Sequence, residues 1–302
     1  MKTMSRRKFL VRSGGLGAAA AAFAWLPRNA HPNPLGRPAG IQLYAVNAAM
    51  QQDPAGTLRK IREIGFGEVE TAGFGKLSAR EFRKLLDDAG LACPSGHLPF
   101  DIDNLGPTFD DAHALGAHYV ASGSLRSSLR PPITGPAPAM TLDEAKRTAD
   151  LANRIGEKAK QAGLQYAYHN HDFEFANQGG TIAYDILLRE TDPQLVKFEI
   201  DCGWMVVGGH NPIDYFRKYP NRFPLIHVKD FLPPSDKSAD AGSAPAHPGA
   251  ELGRGMIDYK PIFAVAEKAG LQHYFAEQEG PFVRMGQLQA AQQAYAYLHA
   301  IG

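Results

Sequence analysis

The stretch Gln165-Tyr-Ala-Tyr-His-Asn-His-Asp-Phe-Glu-Phe175 decides how the chain is read, because a strand ends inside it and polar groups begin. Its first half alternates, so His169 and His171 share one face while Tyr168 and Asn170 share the other. Asp172 and Glu174 follow where a chain leaves a sheet. Similar polar clusters close three later apolar runs: Glu199-Ile-Asp201, His227-Val-Lys-Asp230 and Glu277-Gln-Glu279.

Outward from that stretch the chain alternates strand-like and helix-like segments. The patterns predict strands over residues 41–46, 68–73, 93–97, 119–124, 165–169, 196–201, 224–229 and 274–278. Helices are predicted over residues 54–64, 78–89, 109–115, 141–163, 182–190, 212–219, 259–269 and 285–300. Ser78-Ala-Arg-Glu81 and Thr141-Leu-Asp-Glu144 have the form of capping boxes, and Gly90 and Gly163 stop the helices that follow them. Eight strands each followed by a helix require parallel pairing and close into a (β/α)8 barrel, a single domain over residues 40–302. An open doubly wound sheet is the alternative, but the first strand–helix turn, residues 47–54, carries no GxGxxG fingerprint.

Residues 1–30 have the layout of a twin-arginine export signal: Arg6 and Arg7 precede an Ala/Gly-rich apolar run, with cleavage expected after Ala24 or Ala30. The run is short and broken by glycines, so no permanent membrane span is expected after processing. Residues 31–39 read as a Pro-rich connector. Removal of Lys2, Arg6, Arg7, Lys8, Arg12 and Arg28 takes the formal charge from +1 to −5. A mildly acidic, periplasmic mature chain argues against a nucleic-acid partner. Cys93 and Cys202 form neither a CxxC motif nor a disulfide framework.

In a barrel the chemistry sits at the C-terminal ends of the strands, and the unusual polar residues fall there. Glu70 and His97 end the second and third strands, each also readable as an ordinary half-exposed polar residue. Glu199 and Asp201 face one side of the sixth strand, with Asp201 nearer the mouth; Lys229 shares a face with His227, and Glu279 with Glu277. Carboxylates gathered in a barrel interior need a compensating cation, and one divalent ion (Mn, Co, Zn, Fe or Mg) is expected. Two loops could cover a ligand: residues 125–140, with Arg126 and Arg130, and residues 231–255, which end in Gly253-Arg-Gly255.

The runs YHNHDFEF, FEIDCGW, HVKDF and FAEQEG resemble the xylose isomerase-like barrel proteins usually called sugar phosphate isomerases/epimerases, over roughly residues 40–300. The resemblance implies that a Glu, an Asp, a His and a Glu from strands five to eight hold one metal, which places Asp201, His227 and Glu277 among the ligands. Many relatives have Glu where His169 stands, so the strand-five ligand is either His169 or Glu174, with Glu174 preferred. Trp204 stands where many relatives have a His.

The resulting expectation is metal-assisted isomerisation or epimerisation of a carbohydrate next to its carbonyl. Glu174 and Glu277 would move protons, Lys229 or His171 would stabilise the oxyanion, and Glu70, His97, Trp204 and Glu279 would bind substrate. No phosphate cradle is evident, so the sugar is expected to be non-phosphorylated. Elimination from a keto-sugar or 3-keto-glycoside is the alternative. A non-catalytic sugar-binding protein, using Tyr44, Phe74, Trp204 and Phe231, is a further one. A DNA-cleaving relative would need more histidines and a basic face. A homo-oligomer is left open.

Overall fold

The computed structural model describes residues 36–123, 125, 138–233, 247–280, 282 and 284–301. The expected export signal, most of the connector, Arg126 and Arg130 lie outside the described residues.

Eight parallel strands close into a barrel: β1 (Gly40–Gln42), β2 (Glu68–Thr71), β3 (Ala92–His97), β4 (Tyr119–Ser122), β5 (Gln165–His169), β6 (Val196–Asp201), β7 (Leu225–Val228) and, closing against β1, β10 (His273–Ala276). A two-residue antiparallel pair, β8 (Asp230–Phe231) with β9 (Gly249–Ala250), lies outside the barrel. The architecture is the TIM barrel that the strand–helix alternation predicts.

Several helices start where the local chemistry supplies caps. Ser78 and Glu81 form a full capping box before α3 (Ala79–Ala89), and Thr141 and Glu144 form another before α5 (Leu142–Gln161). Asp53 accepts from Gly56 N ahead of α2 (Pro54–Ile64), where Pro54 occupies a first-turn position that needs no amide donor. In α3 the buried stripe is Ala79, Phe82 and Leu86.

Two segments depart from the sequence reading. The first strand stops at Gln42 because its side chain accepts from Tyr44 N and turns residues Leu43–Val46 into a 3-10 helix, followed by α1 (Asn47–Gln52). After β6 an extra helix, α7 (Cys202–Val207), begins at once, capped by Asp201 Oδ1 accepting from Trp204 N at 2.9 Å. Its Gly203 packs so closely on the next strand that a Cβ there would lie 2.8 Å from Lys229 O and 2.9 Å from Lys229 Cβ.

The parallel register sets the site's level. His169 pairs with Glu199, Asp201 with His227, and His227 with Phe275. Alternation sends Tyr166, Tyr168 and Phe198 outward into the helix layer, while Tyr119, Ala121, Ala167, Leu225 and Phe275 fill the barrel interior. The next inward-facing positions toward the mouth are polar. Among the described residues, no helix is long and apolar enough to cross a membrane.

Candidate metal centre

Burial would normally exclude charges, yet Glu70, Glu199, Asp201 and His227 have no exposed surface and Lys229 almost none. They persist because they compensate one another. His227 is the junction: its Nε2 lies 2.7 Å from Glu70 Oε2 and its Nδ1 3.0 Å from Glu277 Oε2. Glu199 Oε2 gathers His97 Nε2 at 2.6 Å and His169 Nδ1 at 3.1 Å. Lys229 Nζ stands 3.1 Å from Asp201 Oδ2, 2.9 Å from Glu277 Oε2 and 2.5 Å from Glu279 Oε1. Its ammonium also lies 5.1 Å from the ring centre of Trp204, which packs on Phe231.

The charge states follow from these neighbours. Burial opposes charge on His227, but Glu199, Glu277 and Glu70 hold it well above the ordinary imidazole value. Burial likewise opposes ionisation of Glu277, yet Lys229 and His227 hold its carboxyl well below the ordinary range. Burial opposes the Lys229 ammonium, and Asp201, Glu277 and Glu279 more than restore it. His171 is pushed down to about 3 by burial and by Lys229, so its imidazole is neutral at any working pH.

Two overlapping groups have ligand atoms within 4.8 Å of one another: His97, His169, Glu199 and His227, and Asp201, His227 and Glu277. The second contains the three residues that the family resemblance singles out. Asp201 Oδ2 and Glu199 Oε1 are buried without a hydrogen bond, which is the condition expected of carboxylate oxygens reserved for a cation. Asp201 Oδ2 is near Lys229 Nζ, but their geometry meets only the distance condition of an ion pair. Mixed oxygen and imidazole donors of this kind fit a divalent ion.

Glu174 is not brought to this centre. Its Oε1 accepts from Tyr168 OH at 2.7 Å and its Oε2 from His171 N at 3.0 Å, and it belongs to neither ligand group. The reason is the strand's alternation: Tyr168 points outward, and the turn after His169 sends Glu174 to meet it. Of the two strand-five candidates, His169 is the side chain that joins a ligand group, and Glu174, which the sequence reading preferred, joins neither. His171, Trp204 and Glu279 lie beside Lys229 rather than in either group, with Glu279 40% exposed at the rim. His97, 19% exposed, stacks on His227.

Two residues of the network, Gln42 and Ser95, escaped sequence reasoning, and a third, Glu199, was read as inward-facing but given no role. Glu199 ranked below Asp201 because it lies deeper, yet it meets three histidines. Gln42 donates to Glu70 Oε2 at 2.8 Å, and Ser95 to Glu70 Oε1 at 2.5 Å. Only their position at strand ends, beside Glu70, was a signal. Asp230, the last polar residue of HVKD, accepts from the backbone N–H groups of Gly253, Gly255 and Ile257 and fastens the loop after β9.

A closed parallel barrel with a buried carboxylate–imidazole–lysine cluster at the C-terminal ends of its strands has the build of a TIM-barrel enzyme. The Xylose isomerase-like TIM barrel family model matches residues 58–298, and the chain belongs to that family. A crystal structure of a sugar phosphate isomerase/epimerase from Parabacteroides distasonis superposes with a TM-score of 0.70 at 27% identity, covering 87% of this chain and 93% of that one. The inosose dehydratase of Lacticaseibacillus casei is 28% identical over 202 residues, 63% of this chain and 67% of the relative. That of Clostridium tetani is 29% identical over 182 residues, 58% of this chain and 60% of the relative. The chain thus matches about two thirds or less of these curated relatives' length.

Proposed function

We propose that the protein is a divalent-metal-dependent enzyme that removes a proton from the carbon next to the carbonyl of a non-phosphorylated carbohydrate. The observation that carries this reading is the placement of Lys229 against Asp201, Glu277 and Glu279, with His227 beside Glu277. Asp201, His227 and Glu277 would hold the ion, and His169 is the strand-five residue in the overlapping group that shares His227. A divalent ion held there would polarise the carbonyl and an adjacent hydroxyl.

The chain's own groups then divide the work. Glu277, held ionised, is the base that takes the proton from carbon. The electron pair of that C–H bond moves toward the carbonyl oxygen, where the Lys229 ammonium stabilises the negative charge. Neutral His171, whose Nδ1 is buried without a partner, is able to hydrogen-bond a substrate hydroxyl. His97 and Glu279, the partly exposed members of the network, face arriving substrate.

Return of the proton to carbon gives isomerisation or epimerisation. Departure of an oxygen substituent β to the carbonyl, which takes up a proton as it leaves, gives an unsaturated ketone. The similarity to inosose dehydratases favours elimination as the second reading. Export through the twin-arginine signal, proposed from Arg6 and Arg7, would put either activity in the periplasm.

The test is solvent exchange. Metal-loaded protein offered free ketoses and 3-keto-glycosides in deuterated water should label the carbon next to the carbonyl. A new sugar identifies the isomerase or epimerase, and an unsaturated ketone the lyase. No label in either class, despite sugar binding, would leave the non-catalytic binder.

A further inference from the structure

A cavity of about 710 Å³ lies between the segments that follow β1 and β2, and its lining includes Tyr44, Met50, Phe74, Leu77 and Phe82. These are apolar or aromatic, in contrast to the charged centre. Tyr44 is 48% exposed, while Phe74 packs on Phe82 with ring centres 5.8 Å apart. A volume of this size falls within the roughly 300–1,000 Å³ of small-molecule sites, and exposed aromatic surface at a barrel mouth calls for an apolar occupant.

Its place relative to the chemistry is fixed by the chain. The lining begins at Leu43, the residue after Gln42, and at Ala72, the residue after Thr71 of β2. Gln42 bonds Glu70 at 2.8 Å, and Glu70 lies 2.7 Å from His227. The apolar cavity therefore flanks the polar centre on the side of the first two strands. A bare sugar has hydroxyls for the centre and nothing for the cavity.

We propose that this cavity is a subsite for a ring-sized apolar group carried by the substrate, so that the natural substrate is a carbonyl sugar or cyclitol bearing an aromatic or alicyclic aglycone. The proposal rests on the carbohydrate reading above and names its substrate class. The sugar meets the charged centre; the aglycone ring lies against Tyr44, Phe74 and Met50. Lys76 and Gln51 line the cavity as exposed polar residues, so they tolerate hydroxyl substituents on that ring.

The experiment compares benzyl and methyl 3-keto-β-glucosides, whose leaving alkoxides are of similar basicity, on metal-loaded protein, together with calorimetric titration of 2-naphthol alone. The benzyl compound should be preferred by at least ~10-fold in kcat/KM, and 2-naphthol should bind saturably. Tyr44→Ala and Ala72→Trp, which respectively removes and blocks apolar surface from exposed positions, should each reduce that preference and the naphthol affinity by ~5-fold or more. Phe74→Ala serves as a third variant where its melting temperature is unchanged. If neither glucoside reacts but naphthol binds in a Tyr44-dependent way, the subsite stands and the catalytic reading falls. If both react equally and naphthol does not bind, the catalytic reading stands and the subsite is overturned. Absence of both reaction and naphthol binding overturns both.

Discussion

Glu174 Oε1 accepts a 2.7 Å hydrogen bond from the hydroxyl of Tyr168, six residues earlier and on the outward face of β5. A carboxylate only five residues beyond His169 is thereby turned from the mouth and buried in the wall of the barrel. Burial pushes Glu174 up to about 7, against the hydrogen bonds from Tyr168 and His171 N.

This displacement has a sign in the pH dependence of stability. The native state keeps a proton that the unfolded chain releases near pH 4.3, so the Glu174 contribution is favourable below that value and is lost as pH rises through about 7. The difference in unfolding free energy between the parent and Glu174→Gln should change by on the order of 3 kcal/mol between pH 4 and pH 8. Denaturant titrations across that range check it; a constant difference would show that the Glu174 carboxyl titrates no higher in the native state than in the unfolded chain.

Metal content separates the strand-five candidates. Asp201→Asn, His227→Ala and His169→Ala should lose stoichiometric metal in elemental analysis, while Glu174→Gln should retain it. Added metal at a hundred times its Kd should stabilise the parent by about 2.7 kcal/mol and leave Asp201→Asn unaffected. Retention of metal by both Asp201→Asn and His227→Ala would sink the assignment.

Lys229→Met should lower solvent exchange at the substrate carbon by at least ~100-fold, because it removes the group that stabilises the oxyanion. In the metal-free protein it also removes the ammonium that compensates Asp201 and Glu277, a loss of roughly 3–5 kcal/mol of stability. Parallel melting curves distinguish the two effects. Exchange at parental rates in a folded Lys229→Met protein would take Lys229 out of the chemistry.

Export is tested by changing Arg6 and Arg7 together to lysine. The variant should remain inside the cell, whereas the parent appears in the periplasm with a new terminus after Ala24 or Ala30. Unchanged export of the variant would remove the twin-arginine proposal.

What the sequence determined by itself was the periodicity and the strand ends. Alternation in Gln165–His169 and Val196–Asp201, and capping boxes at Ser78 and Thr141, are local, so they survive being read without a partner. Eight repeats of strand and helix left closure as the natural way to pair every strand. Asp201, His227 and Glu277 were legible in the same way as polar residues at strand ends, while their selection as one ligand set came from the family resemblance.

Only the tertiary structure decided which polar groups meet. Glu199 meets His97, His169 and His227 because parallel register aligns residues far apart in sequence, and no local pattern records that register. The direction of Glu174 depended on a turn and on a tyrosine facing the opposite side of the same strand. The early end of β1 depended on whether Gln42 would bond its own backbone at Tyr44 while also reaching Glu70. Periodicity is set by each residue's neighbours in the chain, whereas a site is set by long-range register and by competition among side chains for the same few partners.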